Sequence, residues 1–173
     1  MKSYFVIILL SSIFVFAGSS KSIEIPIRNI SYICGCKPDI VNPAGSKTVI
    51  YQGNYCGFQE IFLIDVDFDA ILKIKNIKKV ELQLYCADIY GSTSEKLLYE
   101  PIVGKWDDGV TYNKRPGTDS DYTIETGIPK KSGWQIIDIT KIINAIVKDK
   151  KVFHGIMGLT RLGKTKEISS IIF

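Results

Sequence analysis

Short runs in which apolar and polar residues alternate recur along the chain, and clusters of turn-forming residues separate them. The runs are Ser22 to Ile27, Ile30 to Ile33, Lys47 to Tyr51, Gln59 to Val66, Val80 to Ile89, Lys96 to Ile102, Tyr122 to Thr126, Trp134 to Ile139, Phe153 to Leu159 and Ile168 to Phe173. A period of two residues is the mark of strands with one buried face. Many short strands at regular spacing predict an all-β, jelly-roll-like sandwich of two antiparallel sheets. From Gln59 to Phe68 the alternation puts Phe62, Ile64, Val66 and Phe68 on one face, and Leu63, Asp65, Asp67 and Asp69 on the other. Val80, Leu82 and Leu84 repeat it beyond a polar turn at Lys75 to Lys79, so these two strands are expected to be neighbours. The period changes once. From Thr140 to Lys148 the apolar residues Ile142, Ile143, Ile146 and Val147 fall at helical spacing, with Thr140 placed to cap the first turn and lysines suited to the negative C-terminal dipole.

The N-terminus breaks the pattern. Lys2 precedes an uncharged apolar run from Tyr4 to Phe16, and Val15-Phe16-Ala17 places small residues at the minus-three and minus-one positions of a signal-peptidase cut. The run falls short of the roughly 20 apolar residues that span a bilayer. Residues 1–17 are therefore expected to be a secretory leader cleaved after Ala17. Residues 18–173 are then one domain, exported and not inserted in the membrane. Cleavage leaves 21 basic against 18 acidic residues, a balance of +3. The cations are scattered and form no dense Arg-rich face, which argues against a nucleic-acid partner; a mild positive excess favours acidic polymers through long-range attraction.

An exported chain with four cysteines permits disulfides. Cys34 and Cys36 stand one residue apart and would rarely pair with each other, so bridges from one or both to Cys56 and Cys86 are expected. Cys86 continues the inward face of Val80, Leu82 and Leu84, and a buried free thiol there is the alternative to a bridge.

Five segments in order carry a resemblance. Phe62-Leu63-Ile64-Asp65 is followed by Val80-Glu81-Leu82-Gln83-Leu84-Tyr85, then by Trp106-Asp107-Asp108-Gly109-Val110-Thr111-Tyr112-Asn113-Lys114-Arg115-Pro116 and by Ile137-Asp138-Ile139-Thr140-Lys141-Ile142-Ile143, with Gly155-Ile156-Met157-Gly158-Leu159 beyond. Together they resemble the DNRLRE family of secreted β-sandwich modules, itself similar to carbohydrate-binding module family 96, across Tyr51 to Phe173. Two positions depart from the family pattern: Ile64 stands in place of an Arg, and Tyr112 in place of a Trp. The resemblance implies a non-catalytic module that recognises an extracellular or cell-wall polysaccharide, alone or beside a separate extracellular enzyme or envelope protein. The alternative is a structural or adhesive protein that uses the same sandwich for protein contacts.

Chemistry-bearing residues are few. Tyr112, Asn113, Lys114 and Arg115 combine an aromatic ring with two cations on one expected loop; a ring stacks on a pyranose, and an Arg fork with a Lys charge suits a carboxylated sugar. Tyr90, Tyr122 and Trp134 are further candidates for stacking. The packing alternative for Trp106 and Tyr112 is to fill the space between the sheets. Asp65, Asp67 and Asp69 offer hard oxygen ligands for a structural calcium if the strand continues through them, against the alternative of a solvated strand end. His154, the sole histidine, has packing or a backbone hydrogen bond as its expected role. No nucleophile-elbow motif accompanies it, which argues against hydrolytic chemistry. Asn29-Ile30-Ser31 is a glycosylation sequon.

Overall fold

The computed structural model describes residues 12–17, 21–42, 50–55, 58–91, 96–160 and 169–173. The described residues form twelve strands: β1 Ser12–Ala17, β2 Lys21–Pro26, β3 Asn29–Cys34, β4 Tyr51–Tyr55, β5 Phe58–Asp65, β6 Ile77–Cys86, β7 Asp88–Gly91, β8 Lys96–Pro101, β9 Ile124–Gly127, β10 Gly133–Asp138, β11 Ile156–Thr160 and β12 Ser169–Ile172. Helix α1 (Phe68–Leu72) follows β5, and α2 (Thr140–Asp149) follows β10. Every strand pair is antiparallel. The small sheet runs β10-β6-β1-β2; the large one runs β7-β12-β4-β5-β11-β8-β9, with β3 also paired to β5. The all-β sandwich expected from the alternation is what forms.

The alternating runs around Phe62 and Leu82 lie in different sheets, not side by side. Helix α1 carries the chain from β5 across to β6, so the two strands face each other through the core. Phe62 and Ile64 of β5 meet Val80, Leu82 and Leu84 of β6 there, with Ile137 of β10 and Ile142 and Ile143 of α2. The polar turn at Lys75 is preceded by this short helix, whose first turn is capped by the Asp67 carboxylate accepting from the Ala70 N–H at 2.8 Å. Asp is well suited to that place because its oxygen satisfies a backbone donor that the helix cannot.

Strand β5 is buried on both faces. Its second face, Ile61 and Leu63, packs with Ile33, Ile102, Val110 and Met157 in a smaller cluster outside the large sheet, and Trp106 and Tyr112 lie against it. These two aromatics therefore cover the outer face of one sheet; they do not fill the space between sheets. A segment from Ile102 to Tyr112 acts as a third layer, which is why a strand that reads as half polar at Asp65 is buried on both faces earlier.

At α2 the expected boundaries hold to within a residue. The cap differs: Asp138 Oδ1 accepts from the Thr140 N–H at 3.0 Å, while Thr140 Oγ1 accepts from the Val80 N–H at 2.9 Å and pins the helix to β6. Ala145 completes the buried stripe and Val147 is exposed.

Cys34 and Cys36 are joined to each other by a disulfide through Gly35, contrary to the expected long bridges, and Cys86 is a buried free thiol. Antiparallel pairing of β3 with β5 ends at Cys34, and the chain turns back there, which brings two sulfurs one residue apart together. Cys56 lies outside the described residues. Burial pushes the Cys86 thiol up to about 11, so it stays protonated.

Among the described residues no helix is long and apolar enough to cross a membrane.

Candidate functional site

The segment after β8 does not return at once into a strand. It is held by an isolated bridge between Ile102 and Thr118 and carries Lys105 to Arg115 over the large sheet. Asp107 Oδ1 accepts from the Gly109 N–H at 2.8 Å, and the Val110 N–H donates to the Asp107 carbonyl at 3.1 Å, closing a tight turn. Val110 is the apolar anchor beyond the turn, buried against β3, β5 and β11. Asp108 is tied back to the start of β3 by the Asn29 amide at 2.6 Å. The loop is therefore positioned by both of its shoulders.

Trp106 sits at the centre of this arrangement. Its indole Nε1–H donates to the His154 carbonyl at 2.9 Å, and the backbone of Gly155 lies directly beneath the ring nitrogen. His154 is itself fixed, its N–H donating to the Ile102 carbonyl at 2.7 Å. An indole with a satisfied N–H and a half-exposed ring presents a rigid planar surface at little entropic cost.

Two recesses open on either side of that indole. The larger, about 340 Å³, is bounded by Arg28, Asp65, Asp69, Lys105 and His154 with Phe68 and Phe153 behind them. The smaller, about 210 Å³, lies between Lys105, Asp107, Gly109 and Lys114. Lys105 and Trp106 belong to both, so the two recesses form one groove with Trp106 as its divider. Arg28 pairs with Asp67 at the edge, which holds the Asp67 carboxyl below its ordinary range, first through that hydrogen bond and then through the Ala70 N–H. Asp65 moves the other way: burial raises its pKa against the opposing pull of Arg28. The larger recess thus mixes charges, and the smaller carries two ammonium groups against one carboxylate.

The four loop residues named from sequence separate here. Lys114 reaches the groove. Tyr112 rests its ring against Gly35 and is covered by the Arg115 guanidinium, 4.3 Å from the ring centroid, with Arg115 Nη1 donating to the Tyr112 carbonyl at 3.1 Å. Asn113 is clasped to the turn after β3, its N–H to the Pro38 carbonyl at 3.0 Å and its amide to Asp39 at 2.9 Å. Tyr112, Asn113 and Arg115 therefore brace the loop that presents Lys114.

The three aspartates are not gathered. The strand ends at Asp65, Asp67 caps α1 and pairs with Arg28, and Asp69 is exposed in the helix's first turn. Among the described residues no three His, Cys, Asp or Glu side chains are placed to hold a metal ion. Of the other aromatics, Tyr122 packs on Phe153 and donates to Asp149 at 2.8 Å, whereas Tyr90 and Trp134 are exposed. Lys105, Arg28 and the groove-facing role of Trp106 have no signature in local spacing; Trp106 is legible only as the head of its motif.

Two antiparallel sheets with an open polar groove around one fixed aromatic make a small β-sandwich recognition module. The sequence matches carbohydrate-binding module family 96 over residues 32–170, and the chain belongs to that family. The match takes in Lys105, Trp106, Lys114 and His154 and leaves Arg28 outside it. Comparison with curated proteins finds no match.

Proposed function

We propose that the protein is an exported, non-catalytic polysaccharide binder and that the groove divided by Trp106 receives the glycan. The observation that carries this reading is the indole itself, oriented by the His154 carbonyl and flanked by charged and hydrogen-bonding groups on both sides, in a chain of a carbohydrate-binding family. A pyranose ring stacks on the indole while its hydroxyls meet Arg28, Asp65 and Asp69. Lys105 and Lys114 on the other side favour a carboxylated residue, so an acidic chain is the preferred ligand. Export follows from the expected leader at residues 1–17.

A glycan array of neutral and uronate-containing polysaccharides tests this with three proteins: wild type, Trp106→Ala, and Lys105→Ala with Lys114→Ala. Removing the indole is expected to weaken binding about 30-fold, the roughly 2 kcal/mol of an aromatic anchor. The double lysine variant is expected to lose uronate binding selectively, with a flattened salt dependence. Wild-type affinity in Trp106→Ala refutes the groove, and release of shortened oligosaccharides by the wild type refutes the non-catalytic reading.

A further inference from the structure

The outer face of the small sheet carries an aromatic pair that the groove does not use. Among the described strands β10 lies at the edge of the small sheet, and its alternation sends Trp134, Ile136 and Asp138 outward while Ile137 is buried. The register sets Trp134 opposite Tyr85, Ile136 opposite Gln83 and Asp138 opposite Glu81. Trp134 is 46% exposed and Ile136 58%. The indole and the Tyr85 ring meet edge to face, centroids 5.5 Å apart at 78°, so at most one ring face of the pair is taken up and the pair is held in place.

The polar groups around it are neutral or already engaged. Glu81 is nearly buried and pairs with Lys79 at 2.7 Å, and Asp138 accepts from the Thr140 N–H. Glu81 and Asp138 outweigh Lys79 on the register itself, the exposed Lys130 and Lys131 just before β10 offset them, and the face therefore has no strong charge of either sign to select an ionic chain. The Gln83 amide beside Ile136 donates one N–H to Glu81 at 3.4 Å and keeps a second donor and an acceptor for sugar hydroxyls. A stable protein interface needs about 800 Å² per partner from some 20 residues. Among the described side chains of the β10–β6 register, the apolar groups of Trp134, Ile136 and Tyr85 fall well short of that.

We propose that this face is a second carbohydrate-binding surface, on which Trp134 and Tyr85 stack the pyranose rings of a neutral polysaccharide. It rests on the chain's carbohydrate-binding character and not on the groove. The groove lies at the α1 end of the sandwich, and Trp134 lies at the other end of β6, about 25 Å away along eight residues of strand. The two surfaces therefore bind independently and differ in charge preference.

Because the chain has two tryptophans, each surface has its own reporter. In full-length Trp106→Phe, emission comes from Trp134 alone; titration with neutral glucan, xylan and mannan is expected to shift it to the blue, and polygalacturonate is expected to leave it unchanged. In Trp134→Ala, retardation in gels containing the responsive neutral glycan is expected to fall about tenfold, with uronate binding intact and an unaltered unfolding transition. Unchanged Trp134 emission, or unchanged retardation of Trp134→Ala, overturns the proposal even if uronates bind through Trp106. Dimerisation that Trp134→Ala with Ile136→Ser abolishes overturns it in favour of a protein contact. Binding of no glycan in either series sinks the carbohydrate reading as a whole, which is a separate outcome.

Discussion

Gly155 is the position at which stability and the groove depend on the same atom. Its φ of +129° lies in a region that side-chain-bearing residues rarely adopt, and a Cβ there would run into the Ile64 carbonyl oxygen of β5 and come within 3.3 Å of the Trp106 indole nitrogen. Both obstacles are close and one is backbone, so relaxation requires β11 to separate from β5. Strain at a disfavoured backbone conformation costs about 1–3 kcal/mol, and forcing an extra methyl into a packed contact costs about as much again, so Gly155→Ala is expected to lose roughly 2–6 kcal/mol. For a chain of this size that is a fall in Tm of about 5–20 °C, read by calorimetry or by urea denaturation. Two controls divide the effect. Gly133 has φ +139° with no atom within 4 Å of an added Cβ, so Gly133→Ala reports the conformational part alone. Gly127 has open space and no such φ, and Gly127→Ala is expected to change stability by less than about 0.5 kcal/mol. If Gly155→Ala costs no more than Gly133→Ala, the close approach of β11 to β5 beneath Trp106 is refuted.

Asp67→Ala removes the α1 cap and the partner of Arg28 and is expected to cost about 1 kcal/mol at neutral pH. Since the folded-state pKa of Asp67 is lowered, that contribution is present above the ordinary carboxylate range and disappears as pH falls through the lowered value; the gap between wild type and variant in urea titrations should close there. A gap that persists at the lowest pH assigns the cost to helix packing instead. Peptide mapping without reduction should recover Cys34 and Cys36 linked to each other, and iodoacetamide should modify Cys86 only once the protein is unfolded, its thiol being buried and kept protonated. Alkylation of Cys86 in the native protein contradicts its placement in the core.

The fold was legible because the small sheet obeys the simplest rule in the chain: Val80, Leu82, Leu84 and Ile137 turn inward and their neighbours turn outward. The helix was legible for the same reason at a different period. What local pattern does not carry is coverage by a distant loop. Ile61 and Leu63 read as the less buried side of β5 because nothing nearby announces that residues 102–112 will lie over them. The site suffers from the same blindness. Tyr112 and Arg115 have the composition of a binding loop, yet they satisfy each other and the turn at Gly35, while Arg28 and Lys105, separated by nearly half of the chain, meet at one recess. The cysteines show a third limit. A bridge between near neighbours depends on a chain reversal that only the end of the β3–β5 ladder creates.

Strand β1 bears directly on the proposed leader. It lies between β6 and β2, with Ile13 opposite both Leu82 and Ile25, and among the described residues it is the only strand that β2 pairs with. These are also the last six residues of the expected leader. Cutting the chain after Ala17 would withdraw a rung from the middle of a ladder, leaving β6 with one bare side and β2 with none of its backbone partners. The precursor and the processed protein would then be two different sheets, with proteolysis as the switch between them and β2, with its own Ile23 and Ile25 in alternation, as the spare rung nearest the gap.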